Sequence, residues 1–97
     1  MRQQNFMAKD PFFFHTGQKA QSLQEFIDVL KNIDENAFNF HVNETKNDFA
    51  AWIRHSIGSQ TLANKISSLN TKADTLKTIY AYFGIKNQAY SLNKKEV

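Results

Sequence analysis

At 97 residues the length suits one domain, and a chain of that size buries only about two-thirds of its unfolded surface. It contains no Cys, which excludes a disulfide framework, a thiolate metal site and a cysteine nucleophile. The formal charge of +3 is mildly basic, so an anionic partner is compatible with it but not named by it.

One Pro and three Gly leave little for a turn-rich β sandwich and favour helices with short connections. Residues 1–10 are polar and aperiodic, and read as a loose tail in which Phe6 and Met7 are the only large apolar side chains after Met1. With no apolar core in MRQQNFMAKD, no secretory signal is expected. Pro11 to Ala20 reads PFFFHTGQKA. In a strand Phe12 and Phe14 point one way and Phe13 the other. Gly17 supplies the positive φ of a turn, so a short hairpin with strands at 12–15 and 18–20 fits this segment. A hairpin alone is marginal in water and must pack on helices.

Ser22 and Glu25 have capping-box spacing and open a helix running to Asn32. Leu23, Phe26, Ile27 and Leu30 form its apolar stripe, with Ile33 just beyond. Asp34-Glu35-Asn36 looks like a second helix start, giving a short helix over 35–43 with Ala37, Phe38, His41 and Val42 on one face. The competing reading is a strand, because Phe38, Phe40 and Val42 alternate. The helix is preferred on its start signal, and 43–46 follow as a loop.

The clearest helix lies within HVNETKNDFAAWIRHSIG, His41 to Gly58. Asn47 is its N-cap, Asp48 complements the dipole, and Phe49, Trp52, Ile53 and Ile57 make one stripe. Gly58 suits the left-handed position that ends a helix. Trp52, the only Trp, is the largest burial available and is expected near the core centre. Ser59 caps a fourth helix to about Leu69 with Leu62, Ala63, Ile66 and Leu69 inward. Thr71 and Asp74 open a fifth, with Ala73, Leu76, Ile79, Tyr80 and Phe83 inward and Gly84 at its end. Lys72 sits badly with the dipole of that helix. Residues 85–97, with Ile85, Tyr90 and Leu92, read as a C-terminal tail. The fold expected is a compact, mainly α bundle of four to five short helices over 11–84 with a short N-terminal hairpin.

The pattern His-Val-Asn, then Asn-Asp-Phe-Ala-Ala-Trp-Ile, then Leu-Ala across His41–Ala63 resembles an uncharacterised family of small domains from bacteria and archaea. Gly17, Ala20, Ser22-Leu23 and Phe26 extend the resemblance, which covers roughly residues 12–66. It implies a stand-alone or appended domain with no assigned activity, and so brings no catalytic residues with it.

The residues themselves offer three functional readings. There is no Gly-x-Ser-x-Gly elbow and no glycine-rich phosphate loop, so neither an enzyme nor a bound cofactor is expected. The first reading is a protein-interaction or regulatory module in the cytoplasm, self-association included. Its candidate surface is Phe13, Phe40, Tyr82 and Tyr90, because exposed aromatic rings anchor interfaces. The second is weak DNA or RNA binding by the 59–69 helix, with Gln60, Asn64, Lys65 and Lys72 as contacts. The third is a small metal or ligand site around His41 and Asp48. Against it, metal centres need three or four aligned ligands. His41, Asn47 and Asp48 read better as a structural cluster in which the ring pins the loop. No stretch approaches the ~20 apolar residues of a membrane span.

Overall fold

The computed structural model describes residues 6–84. The tail readings of 1–5 and of 85–97, Tyr90 among them, lie outside the described residues. Five α-helices form a mainly helical globule behind a short N-terminal antiparallel hairpin.

The hairpin pairs β1 (Met7–Phe13) with β2 (Lys19–Ser22). Met7 faces Ser22 and Phe12 faces Ala20, so five residue steps on β1 oppose two on β2, and β1 bulges by three residues. Pro11 lies inside that bulge, where its missing N–H removes no ladder bond. The Asp10 carbonyl accepts the Trp52 indole N–H at 2.7 Å. Residues 7–10, read from the sequence as tail, are therefore strand. They carry no apolar alternation, and tertiary partners hold them: besides the indole bond, Leu23 N–H donates to Phe6 O at 2.8 Å. β1 ends at Phe13, short of the expected residue 15, yet the alternation carries one residue past its end: Phe12 and Phe14 enter the core and Phe13 is left 66% exposed.

Helix α1 (Leu23–Asn32) is capped by Ser22, whose Oγ accepts from Glu25 N–H at 3.1 Å. The Glu25 carboxylate accepts from Gln21 N–H at 2.8 Å, one residue before the position a capping box uses. Helix α2 (Glu35–His41) starts at Asp34, which accepts from Ala37 N–H at 2.9 Å. The helical reading of 38–41 holds. Val42 then leaves it, and the stretch expected to be loop is a small hairpin, β3 (Val42–Asn43) against β4 (Lys46–Asn47). Asn43 Oδ1 accepts both the N–H and the hydroxyl of Thr45, a local side-chain turn that periodicity does not reveal.

Asn47 caps α3 (Asp48–Trp52) by accepting from Ala50 N–H at 2.9 Å. The expected single α-helix to Ile57 changes character at Ile53: residues Ile53–Ile57 form a π turn, in which Gly58 N–H reaches back to Ile53 O at 2.8 Å. Gly58, at φ 89°, closes it in the left-handed region. Phe49, Trp52 and Ile53 are buried and Ile57 is half-buried. Helix α4 (Gln60–Ile66) ends three residues before the expected Leu69, and Leu69 N–H folds back to Ile66 O. In α5 (Lys72–Phe83) Ile79 and Thr75 are buried while Ala73, expected inward, is exposed. Thr75 takes that place because its hydroxyl is satisfied by Thr71 O at 2.8 Å.

Phe12, Phe14, Phe26, Phe38, Phe49 and Trp52 form the centre of the core. Phe26 stands 5.0 Å from Trp52 and 5.2 Å from Phe49, with tilted or edge-on rings that satisfy the aromatic quadrupole. The high Phe content is thus mostly core, contributed by the hairpin and α1 to α3. Among the described residues no helix is long and apolar enough to cross a membrane.

Candidate functional site

His41 ends α2 and Asp48 begins α3, and the β3–β4 hairpin turns the chain so that the two meet. His41 Nδ1 lies 3.0 Å from Asp48 Oδ2. His41 Nε2 accepts the backbone N–H of His15 at 2.9 Å. An amide can only donate, so Nε2 holds the lone pair, and in the neutral ring the proton sits on Nδ1, facing the carboxylate. Asp48 Oδ2 also meets Lys46 Nζ at 3.0 Å. The imidazole is almost fully buried, with the Phe12 and Phe49 rings 5.0 and 5.2 Å away.

A carboxylate–imidazole pair is the frame of many general bases. Here the nitrogen that would take a substrate proton already holds His15 N–H, inside an aromatic shell. What the arrangement does is tie the β1–β2 turn, the end of α2 and the start of α3 to one ring. Asn47 adds a second tie. Its Oδ1 caps α3, while its Nδ2 donates to Ile66 O at 3.0 Å, at the C-terminal end of α4. Among the described residues no three His, Asp or Glu side chains group closely enough to hold a metal ion.

Of the rings proposed as a contact surface, Phe13 is 66%, Phe40 49% and Tyr82 38% exposed. They do not form one surface group. Phe40 stacks flat on the His15 ring at 3.9 Å, with Lys46 Nζ 5.0 Å from its centroid. His15 follows Phe13 by two residues. Tyr82 instead packs edge-on against Phe83, which lies 5.0 Å from Phe6.

The four residues suggested for nucleic-acid contact divide in the same way. Gln60 Oε1 accepts from Arg54 Nε at 3.1 Å, and Asn64 Oδ1 from Arg54 Nη2 at 2.8 Å. The π turn delivers Arg54 to the polar face of α4 and occupies it. Lys72 Nζ donates to Lys31 O and Ile33 O at 3.1 and 2.7 Å, so it caps the carbonyl end of α1 across space. A cation is favoured there, which explains a lysine that its own helix dipole disfavours. Lys65 alone of the four stays free of a hydrogen-bond partner among the described residues.

The model of a family of unknown function, DUF5752, matches residues 1–81. The chain belongs to that family. No curated protein and no solved structure matches it. The match takes in every described element up to the last turn of α5, a wider span than residues 12–66, over which the resemblance runs.

Among the described residues of this family member lie three open clefts. The first, about 490 Å³, lies between the β3–β4 turn and the α4–α5 loop and is lined by Asn39, Asn43, Glu44, Ser68 and Asn70 among others. The second, about 350 Å³, runs beside Phe6, Ser59, Thr61, Tyr82 and Phe83. The third, about 340 Å³, lies between Lys65 of α4 and Lys77 and Tyr82 of α5. Sequence reasoning missed the parts of Arg54, His15 and Lys72 because each acts on a different element of the fold, His15 and Lys72 on residues 26 to 41 positions away and Arg54 across the Gly58 turn. A signal for Lys72 was present: a lysine in the first turn of a helix is out of place and asks for an outside partner.

Proposed function

We propose that this domain is a non-enzymatic protein-interaction module of the cytoplasm, and that Phe13 with the Phe40–His15 stack is its contact face. The observation that carries the reading is Phe13. The chain puts three Phe in a row, and the end of β1 buries Phe12 and Phe14 on either side while holding Phe13 in water at 66% exposure. Covering such a ring is worth roughly 1.5–3 kcal/mol, a gain left for a partner to realise. Phe40 and the His15 ring supply flat aromatic area with few rotamers to freeze, and Lys46 gives the face a charged rim. The occupied Nε2 of His41 supports the absence of chemistry at the most enzyme-like pair in the described structure.

Affinity capture from the native cell tests this, with the intact chain beside Phe13→Ser and Phe40→Ser. The intact chain recovers a defined partner, or a second copy of itself, and Phe13→Ser loses it while melting at an unchanged temperature. Recovery of the same protein in equal yield by all three chains would refute the assignment of that face.

A further inference from the structure

The α4–α5 surface carries a separate assignment. Lys65 comes from α4 and Lys77 from α5, and they line one hollow of about 340 Å³ with Thr78, Ala81 and Tyr82. Neither ammonium forms an ion pair within 4 Å among the described residues, and Asp74, one turn before Lys77, forms none either. Two lysines from different helices border one hollow with no carboxylate paired to either among the described residues, which favours an anion seated there. Tyr82 is the shared wall of this hollow and of the adjoining one of about 350 Å³, which exposes Phe6, Phe83, Ser59 and Thr61. The Tyr82 hydroxyl lies 3.4 Å from Ser59 Oγ, which braces the ring between the two spaces. Arg54, bound to Gln60 at the edge of the aromatic hollow, adds a third cation with no carboxylate partner among the described residues. Each hollow falls in the range of about 300–1,000 Å³ usual for ligand sites.

A cationic hollow joined through an exposed tyrosine to an aromatic one fits a ligand that alternates phosphate with a flat ring. We propose that this face binds single-stranded nucleic acid without sequence preference, Lys65 and Lys77 neutralising backbone phosphates and Tyr82 stacking a base. Of the residues suggested for a recognition helix only Lys65 is shared with this site: Gln60 and Asn64 are tied to Arg54 and Lys72 to α1, so base-edge reading by α4 loses three of its four side chains. Both hollows are open to solvent, which lets a strand enter and leave along the groove. Single-strand binders of this kind combine backbone-tracking charge with sequence-tolerant stacking.

The test uses the full chain and a fluorescein-labelled oligothymidylate of about ten nucleotides, within the usual site size. Anisotropy is read across a salt series, with a duplex of equal length, thymidine monophosphate and inorganic phosphate as competitors. The intact chain binds the strand at low salt and prefers it to duplex. Tyr82→Leu weakens binding by about 5- to 150-fold, the value of one stacked base. Lys65→Gln with Lys77→Gln flattens the plot of log affinity against log salt by about 1.4, at about 0.7 per neutralised phosphate. All three side chains are exposed, so an unchanged melting temperature certifies that the variants fold. Four results would each overturn the proposal: no binding at low salt, equal preference for duplex, an unchanged slope in the double lysine variant, or competition by inorganic phosphate as strong as that by thymidine monophosphate.

Discussion

Replacing His41 by Phe removes two hydrogen bonds and keeps the ring. The phenyl group still meets Phe12, Phe40 and Phe49, whose centroids stand 5.0 to 5.2 Å from the imidazole. His15 N–H loses its acceptor in a half-buried setting, which costs about 1–3 kcal/mol for an orphaned donor. Asp48 loses less, because Lys46 remains at 3.0 Å and the carboxylate is about one-third exposed, so that bond contributes ~0.5–1 kcal/mol. The more apolar ring returns part of this, about 1 kcal/mol, leaving a net loss of about 2 kcal/mol. For a domain of this size that lowers the melting temperature by about 8–16 °C. Thermal unfolding followed by circular dichroism measures it. Asp48→Ala is made alongside, and the two changes together cost less than their sum, because both break one network. A His41→Phe variant that melts within about 3 °C of the parent would refute the reading of the imidazole as the tie between hairpin and helices.

Three further outcomes follow from the same geometry. Asn47→Ala removes the cap of α3 and the bond to Ile66 O, and lowers stability in urea by roughly 2 kcal/mol, more than a cap alone. Phe13→Ser shifts the urea midpoint by the equivalent of at most ~0.5 kcal/mol, whereas Phe14→Ala, one residue on, costs ~3–5 kcal/mol. Lys72→Met keeps the apolar stem and loses the cap on α1, so it destabilises by about 0.5–1 kcal/mol, and hydrogen exchange quickens at the C-terminal turn of α1 rather than in α5.

Much of the helical order can be read from the chain because caps and stripes are local. Ser22, Asp34, Asn47, Ser59 and Thr71 each sit within three residues of the N–H they bind, so spacing alone locates five helix starts. The inward pair Phe12 and Phe14 follows from the two-residue period of a strand, and so does the outward Phe13. Residues 7–10 escaped that logic. Their strand conformation is held by an indole forty-two positions away, and nothing in MAKD announces it.

The candidate sites divide along the same line. That His41 and Asp48 could meet was legible, since one short loop separates them; that His15 N–H would fill the other nitrogen was not. Gln60, Asn64 and Lys72 look like free polar residues in the sequence, and only packing shows Arg54 and the end of α1 already engaging them. The pairing of Lys65 with Lys77 and Tyr82 likewise exists only once α4 and α5 lie side by side. Local chemistry determines which segments coil, because each cap and stripe closes within a few bonds of backbone. Which polar groups remain available to another molecule is decided by tertiary structure, because a hydrogen bond or an uncovered ring depends on what distant segments bring to the same place.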